Sequence, residues 1–168
     1  MSAISTLLVV CIGNVCRSPM AEALLRARLP GVDVQSAGLG ARDGQPADPH
    51  AVDLMRERGL DIAAHRARRV PPGLAMRADL ILTMDADQQQ RLERRLPAMR
   101  GRVFRLGMPD PSTGSAHGFD VPDPYLGPRA SFEHSLRLIE CGVDAWCARI
   151  APAAPAAPPT LALSDSNR

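Results

Sequence analysis

The chain has 168 residues, of which 45% are hydrophobic, 23% charged and 3% aromatic, and its net charge is +2. This length suits one domain, and the apolar fraction excludes a wholly disordered chain. The near-neutral charge favours neither nucleic acid nor a membrane surface as a partner. Lysine is absent, which excludes a lysine Schiff base and the lysine of a Walker-type phosphate loop.

Strands and helices are predicted to alternate along the chain. Apolar or alternating runs predict strands at 6–11, 32–37, 79–84 and 102–106. Helices are predicted from Ser18 to Pro30, over 48–58 and 85–96, and from 131 to about 150. Ser18 is expected to cap the first helix. The alternation predicts an α/β fold, a three-layer domain with a four-stranded parallel sheet between helices.

Composition also predicts the limits of the domain and the cellular compartment of the protein. Residues 1–150 are expected to form the domain, and the Ala/Pro-rich segment 151–168 to be a disordered tail. The N-terminal segment has the composition of a first strand and not of a secretion signal. Four cysteines without a C-x-x-C pair suit a reducing compartment, so a cytoplasmic protein is expected.

The segment VCIGNVCRSPMAEA, residues 10–23, carries the densest chemistry. It runs from a strand end through a short loop into a helix, where backbone N–H groups and the helix dipole favour an anion. Gly13 permits the tight curvature, and the Arg17 fork matches two phosphate oxygens. Such surroundings favour the thiolate of Cys11, a strong nucleophile. The loop therefore predicts thiol-based phosphoryl transfer.

The segment LLVVCIGNVCRSPMAEALLR resembles the signature of the low-molecular-weight protein tyrosine phosphatases. Further matches follow in order: Ser36-Ala37-Gly38, Ala47-Asp48-Pro49, the 64–68 segment AHRAR, Leu82-Thr83-Met84-Asp85 and Asp123-Pro124-Tyr125. The resemblance covers about residues 5–150. It implies the phosphotyrosine phosphatase I-like, Rossmann-like fold and hydrolysis of phosphotyrosine.

The resemblance also implies residue roles. Cys11 attacks phosphorus and forms a phosphocysteine, while Arg17 holds the phosphoryl oxygens. Ser18 stabilises the thiolate by a hydrogen bond. Asn14 locks the loop conformation, and His65 supports Asn14 from behind.

A general acid must protonate the leaving phenol oxygen. The long loop at 107–127 offers Asp110, Asp120 and Asp123, and physical reasoning leaves the choice among them open. The family pattern Asp-Pro-Tyr selects Asp123 as acid and, for the water step, base. Tyr125 would then form an aromatic wall beside the substrate ring.

The remaining substrate-binding positions implied by the family are the loop and its rim: Ile12, Gly13, Val15, Cys16 and Leu39. Ile12, Leu39 and Tyr125 would form the rim. The family further implies a reversible disulfide between Cys11 and Cys16 that protects the nucleophile. No metal and no cofactor are expected for this chemistry.

The segments at 38–40 and 97–104 are similar to the bacterial branch of the family, and Leu126 replaces the second aromatic residue of animal members. Bacterial members act on tyrosine autokinases of capsule and exopolysaccharide export. The expected partner is therefore such a phosphotyrosine protein, with inorganic phosphate as product. Neither nucleic acid binding nor membrane insertion is expected.

Three alternatives come from other classes. A thiol-dependent arsenate reductase shares the loop but needs further cysteines near the third strand, where this chain has LTMDADQQQ. A silent phosphotyrosine-binding module would lack the nucleophile or the acid, whereas Cys11 and Asp123 are both present. A zinc site on Cys11, Cys16 and a histidine is disfavoured by the cysteine spacing.

Overall fold

The four predicted strands form one parallel sheet in the order β2-β1-β3-β4. The computed structural model describes residues 4–108 and 117–151. Asp110 and tail residues 152–168 lie outside the described residues. The strands are β1 (Thr6–Cys11), β2 (Asp33–Gly38), β3 (Leu80–Thr83) and β4 (Val103–Arg105). The helices are α1 (Arg17–Arg28), α2 (Pro49–Glu57), α3 (Pro72–Arg77), α4 (Ala86–Arg95) and α5 (Arg129–Ile150), with a 3₁₀ turn at Pro97–Met99.

Strand β1 lies at the centre of the sheet because both of its faces are apolar. Leu7 and Val9 face a core shared with α1, α2 and α5, whereas Leu8 and Val10 face a second core with α3 and α4. All four side chains are completely buried. A strand covered on both faces reads as a continuous apolar run, which confirms the predicted α/β class and the parallel sheet.

The strand order places ligand-binding loops at one edge. Strand β1 pairs with β2 on one side and with β3 on the other. The carboxyl end of β1 is therefore a topological switch point, where the strand order reverses direction. The loop that follows Cys11 is therefore at the position where open parallel sheets bind ligands.

Two local predictions differ from the structure. Helix α1 begins at Arg17 with Cys16 at the capping position, so the prediction that Ser18 caps it is wrong. The Ser18 side chain instead turns into the loop, where it contacts Asn14 and Cys11. The six-residue helix α3 was not predicted, because Pro71, Pro72 and a glycine obscure a pattern too short to show helical periodicity.

Within the part of the chain that the structure describes, no helix combines the length and the apolarity that a bilayer crossing requires.

Candidate active site

The phosphate loop, residues 11–17, lies directly on the end of β2. The Leu39 N–H donates to the Cys11 carbonyl at 2.9 Å, and the Gly40 N–H donates to the Ile12 carbonyl at 3.0 Å. A Cβ atom on Gly38 would lie 2.4 Å from the Ile12 oxygen. Backbone therefore meets backbone here, and only glycine fits at position 38 without a shift.

The Cys11 sulfur is buried at the base of the loop. It accepts a hydrogen bond from the Asn14 N–H at 3.3 Å and lies 3.0 Å from the Ser18 hydroxyl oxygen. That hydroxyl already accepts from the Asn14 side-chain amide at 2.8 Å, so its own hydrogen is available to the sulfur. Two donors, the Asn14 N–H and the Ser18 hydroxyl, can therefore hydrogen-bond to this sulfur.

Asn14 holds the loop in a left-handed conformation, with φ at 55°. Its side-chain amide donates to Ser36 at 3.0 Å as well as to Ser18, and its side-chain oxygen accepts from the Arg68 N–H at 3.0 Å. Asparagine tolerates this region better than most residues, and these bonds fix it there. Ser36 in turn donates to Glu22, which extends the network to helix α1.

His65 supports the same residue from behind the loop. Its Nε2 atom lies 2.7 Å from the Asn14 carbonyl oxygen, so Nε2 must carry the hydrogen of this bond. The imidazole also borders a cavity of about 590 Å³ shared with Glu22, Arg26 and Asp61. This geometry agrees with the supporting position that the resemblance implied for His65.

Arg17 is buried and is held by three oxygen atoms. Its Nη1 donates to the Val121 carbonyl at 2.9 Å and lies 3.5 Å from an Asp85 carboxylate oxygen. Its Nη2 lies 3.4 Å from a carboxylate oxygen of Asp123. Asp85 itself caps helix α4 through the Gln88 N–H at 2.8 Å. A buried guanidinium needs such partners, and here they fix its direction.

The wall opposite the phosphate loop carries Asp123 and Tyr125. The Tyr125 N–H donates to an Asp123 carboxylate oxygen at 3.1 Å, and both side chains are about half exposed. Two hydrogen bonds hold the residues just before Asp123: the Val121 N–H donates to Met84 O at 2.8 Å, and the Ser135 hydroxyl donates to Pro122 O at 2.8 Å.

A cavity of about 230 Å³ brings most of the predicted residues together. Its lining consists of Cys11, Ile12, Gly13, Val15, Cys16, Arg17, Gly40, Arg42, Gln45, Asp123 and Tyr125. The structure does not bring Leu39 to this rim: the side chain is 6% exposed and packs in the second core. Gly40, Arg42 and Gln45 take that place, and their position depends on a loop fold that the sequence alone did not reveal.

Cys16 borders the cavity at the point where the loop enters helix α1. Burial raises the pKa of this thiol well above its ordinary value, and the charges of Asp48, Cys11 and Asp123 raise it further, against a lowering by Arg17. Cys11 and Cys16 are both free and buried.

Sequence reasoning missed four functional candidates: Ser36, Arg42, Ser135 and the Val121 carbonyl. Ser36 lay within a matched segment but carried no signal of its contact with Asn14. The other three reach the site only through the tertiary fold, and no local pattern marks them.

A buried cysteine on a strand-to-helix loop, a buried arginine and a facing carboxylate in one cavity are typical of the cysteine-dependent phosphatases as a class. A family model, low molecular weight phosphotyrosine protein phosphatase, matches residues 6–155. The chain belongs to the low molecular weight phosphotyrosine protein phosphatase family, whose members act on phosphotyrosine proteins.

EpsP of Ralstonia nicotianae, named a probable low molecular weight protein-tyrosine-phosphatase, is 54% identical over 147 residues. This match spans 88% of our chain and 97% of that protein. Vibrio vulnificus Wzb in complex with benzylphosphonate is similar in structure, with a TM-score of 0.80 and 33% identity over 88% of this chain and 99% of that one. The YwlE arginine phosphatase from Geobacillus stearothermophilus is also similar in structure, with a TM-score of 0.78 and 32% identity. This match covers 87% of our chain and 92% of that one.

The comparisons do not favour the arsenate reductase alternative. Cys141 and Cys147, the cysteines outside the loop, both lie on α5 and not near the end of β3. Across residues 4–108 and 117–151, no three histidine, cysteine or acidic side chains are grouped as a metal site would require.

Proposed function

We propose that the chain hydrolyses phosphotyrosine in two in-line displacements at this cavity. The Cys11 sulfur attacks phosphorus while Asp123 gives its proton to the departing phenol oxygen. Asp123 then takes a proton from the water that cleaves the phosphocysteine, and inorganic phosphate leaves. Arg17 and the loop N–H groups bind the equatorial oxygens in both steps. The observation that carries this proposal is the shared cavity of Cys11, Arg17 and Asp123.

The lining of the cavity favours an aromatic phosphate over phosphoarginine. Ile12 and Val15 offer apolar contact, and Tyr125 offers a ring face. Arg42 borders the same cavity, where its charge opposes the guanidinium of phosphoarginine. The bound benzylphosphonate of Vibrio Wzb is itself an aromatic phosphonate, whereas the likeness to an arginine phosphatase makes phosphoarginine the competing substrate.

The test compares matched peptides that carry phosphotyrosine, phosphoserine or phosphoarginine, in the presence of a chelator. We expect wild type to release phosphate fastest from phosphotyrosine, and Cys11→Ser to lose activity by at least about 10³-fold. Cys141→Ser, an exposed cysteine on α5, is the matched control and should retain activity. Faster release from phosphoarginine, or an active Cys11→Ser, would contradict the proposal.

The partner we propose is a bacterial tyrosine autokinase of capsule or exopolysaccharide export, met in the cytoplasm. The family membership and the similarity to EpsP support this assignment. A direct test incubates the protein with the phosphorylated cytoplasmic domain of such a kinase from the same organism. Loss of phosphotyrosine with wild type, but not with Cys11→Ser, is expected. If the kinase domain kept its phosphate while the phosphotyrosine peptide was hydrolysed, the proposed partner would be excluded. The proposed hydrolysis would still stand.

A further inference from the structure

Arg42 adds a cation to the cavity that the proposed reaction does not use. The residue lies on the loop that follows β2, is exposed, and lines the cavity together with Gln45. Within the described residues, no carboxylate is close enough to pair with the Arg42 guanidinium, in contrast to Arg17 with its two acidic partners. As far as the described residues go, the Arg42 guanidinium therefore has no acidic partner that would compete with an anion entering from solution.

The neighbouring cations hold the loop that carries Arg42. Arg69 Nε donates to the Ala41 carbonyl at 3.2 Å, and Arg95 Nη1 donates to the Leu39 carbonyl at 3.2 Å. Both arginines line a neighbouring cavity with Leu39, and their role here is to fix the backbone of the loop. Asp43 is the nearby acid in sequence, and it accepts a hydrogen bond from the Arg69 N–H at 2.9 Å.

The opposite side of the cavity carries the acids. Asp123 lines the cavity itself, and Asp87 and Asp120 border the adjoining surface depression that it shares with Ile12. Asp120 pairs with Arg105 at 2.7 Å, and Asp87 lies 3.8 Å from Arg91. Asp123 likewise lies beside Arg17, so each of these carboxylates has an arginine partner, whereas among the described residues Arg42 has no acidic one. A cation without an acidic partner at the mouth attracts an anionic group of a bound peptide.

We propose that Arg42 is a specificity-determining residue that binds an anionic group next to the phosphotyrosine in the substrate chain. The group is a carboxylate or a second phosphate, since a guanidinium recognises either with the same planar fork. Substrates with acidic or multiply phosphorylated segments are therefore the favoured class. This inference rests on the proposed phosphotyrosine hydrolysis and specifies which phosphotyrosine sites are cleaved fastest.

The experiment measures kcat/KM for three peptides that differ only beside the phosphotyrosine: aspartates on both sides, asparagines on both sides, or a second phosphotyrosine. Wild type should prefer the aspartate peptide to the asparagine peptide by roughly two- to fivefold at low salt, the range of an exposed ion pair. A preference for the doubly phosphorylated peptide over the aspartate peptide identifies phosphate as the favoured anion. The reverse order identifies carboxylate.

The variant Arg42→Gln should bring the ratio of aspartate to asparagine peptide close to one. Arg100→Gln is the matched control, because Arg100 is exposed and precedes β4, at the sheet edge opposite the site. It should keep the wild-type ratio. High salt should reduce the ratio in wild type and leave it unchanged in Arg42→Gln.

Equal kcat/KM for the aspartate and asparagine peptides in wild type would overturn the inference, as would a ratio that survives in Arg42→Gln. Activity on the asparagine peptide would still support the proposed hydrolysis in either case. Inactivity of wild type on all three peptides would instead overturn the proposed function, and the inference with it.

Discussion

The Arg17 guanidinium lies 3.4 Å from the Asp123 carboxylate, so the residue proposed to hold the phosphoryl group touches the residue proposed to move the proton. A phosphoryl dianion bound to Arg17 competes with Asp123 for the same cation. Substrate binding should therefore weaken this ion pair and make Asp123 available to the leaving oxygen. In the proposed mechanism this contact would couple recognition of phosphate to the proton transfer.

Asp123→Asn should slow the reaction most where the leaving group most needs a proton. We expect kcat/KM, which reports the steps up to the phosphocysteine, to fall by about 10²–10³-fold for phenyl phosphate and much less for 2,4-dinitrophenyl phosphate. The measurement is steady-state hydrolysis of both esters. Asp120→Asn is the matched control: Asp120 pairs with Arg105, and its variant should show equal, small effects on both esters.

Ser135→Ala should impair the same proton transfer indirectly. The Ser135 hydroxyl is buried in α5 and donates to the carbonyl of Pro122, the residue before Asp123. Without this bond the carboxylate is less well placed, and we expect kcat/KM for phenyl phosphate to fall roughly tenfold. The value for 2,4-dinitrophenyl phosphate, whose leaving group needs no proton, should hardly change. Ser131→Ala, one turn earlier on α5, is the control, and equal losses on both esters would contradict a positioning role.

Oxidation of the site should depend on pH through Cys16. Peroxide converts the Cys11 thiolate to a sulfenic acid, and the Cys16 sulfur then displaces water to form the disulfide. Burial raises the pKa of the Cys16 thiol, so its thiolate is scarce at neutral pH and increases about tenfold per pH unit. Disulfide closure, followed by mass spectrometry after a peroxide pulse, should accelerate accordingly from pH 6 to 8.

The Cys16→Ser variant provides the comparison for this redox prediction. It should lose thiol-reversible recovery, because its Cys11 sulfenic acid proceeds to the sulfinic acid. Equal recovery of wild type and Cys16→Ser by a thiol, or closure at a rate independent of pH, would be incompatible with the predicted pairing.

Asp79 should make stability depend on pH. The Ser5 N–H, the Ser5 hydroxyl and the Thr6 N–H donate to its carboxylate and lower its pKa. A lowered pKa stabilises the fold above the unfolded value of about 3.9, and this contribution is lost as the pH falls further. Asp79→Asn should therefore lower the urea midpoint at pH 7 and differ less from wild type near pH 3. Equal urea midpoints of wild type and Asp79→Asn at pH 7 would contradict the predicted contribution of Asp79 to stability.

Local patterns were sufficient to predict the sheet and the phosphate loop. The run that forms β1 is buried on both faces, and the loop residues are adjacent in sequence, so neither depended on distant contacts. Helix α5 was predicted from its apolar stripe, and Phe132, Leu136 and Ile139 of that stripe are completely buried. The helix begins at Arg129, two residues before the predicted start.

Residues that act across the fold were harder to predict. Leu39 was expected at the rim but packs in the core, because the hydrogen bonds of Leu39 and Gly40 to the phosphate loop fix the path of the chain. Arg42 then reaches the cavity in its place. The choice of Asp123 came from family resemblance, since periodicity and composition do not distinguish among loop aspartates.

At Gly38 the end of strand β2 packs directly against the backbone of the loop that carries Cys11. Since the backbone of β2 rests on the carbonyl of Ile12 with no side chain between them, there is no flexible rotamer to absorb a small displacement. A shift of β2 by a few tenths of an ångström would be passed on directly to the residue beside Cys11. Mutations in the core beneath β2, far from any substrate, should therefore alter turnover before they unfold the protein.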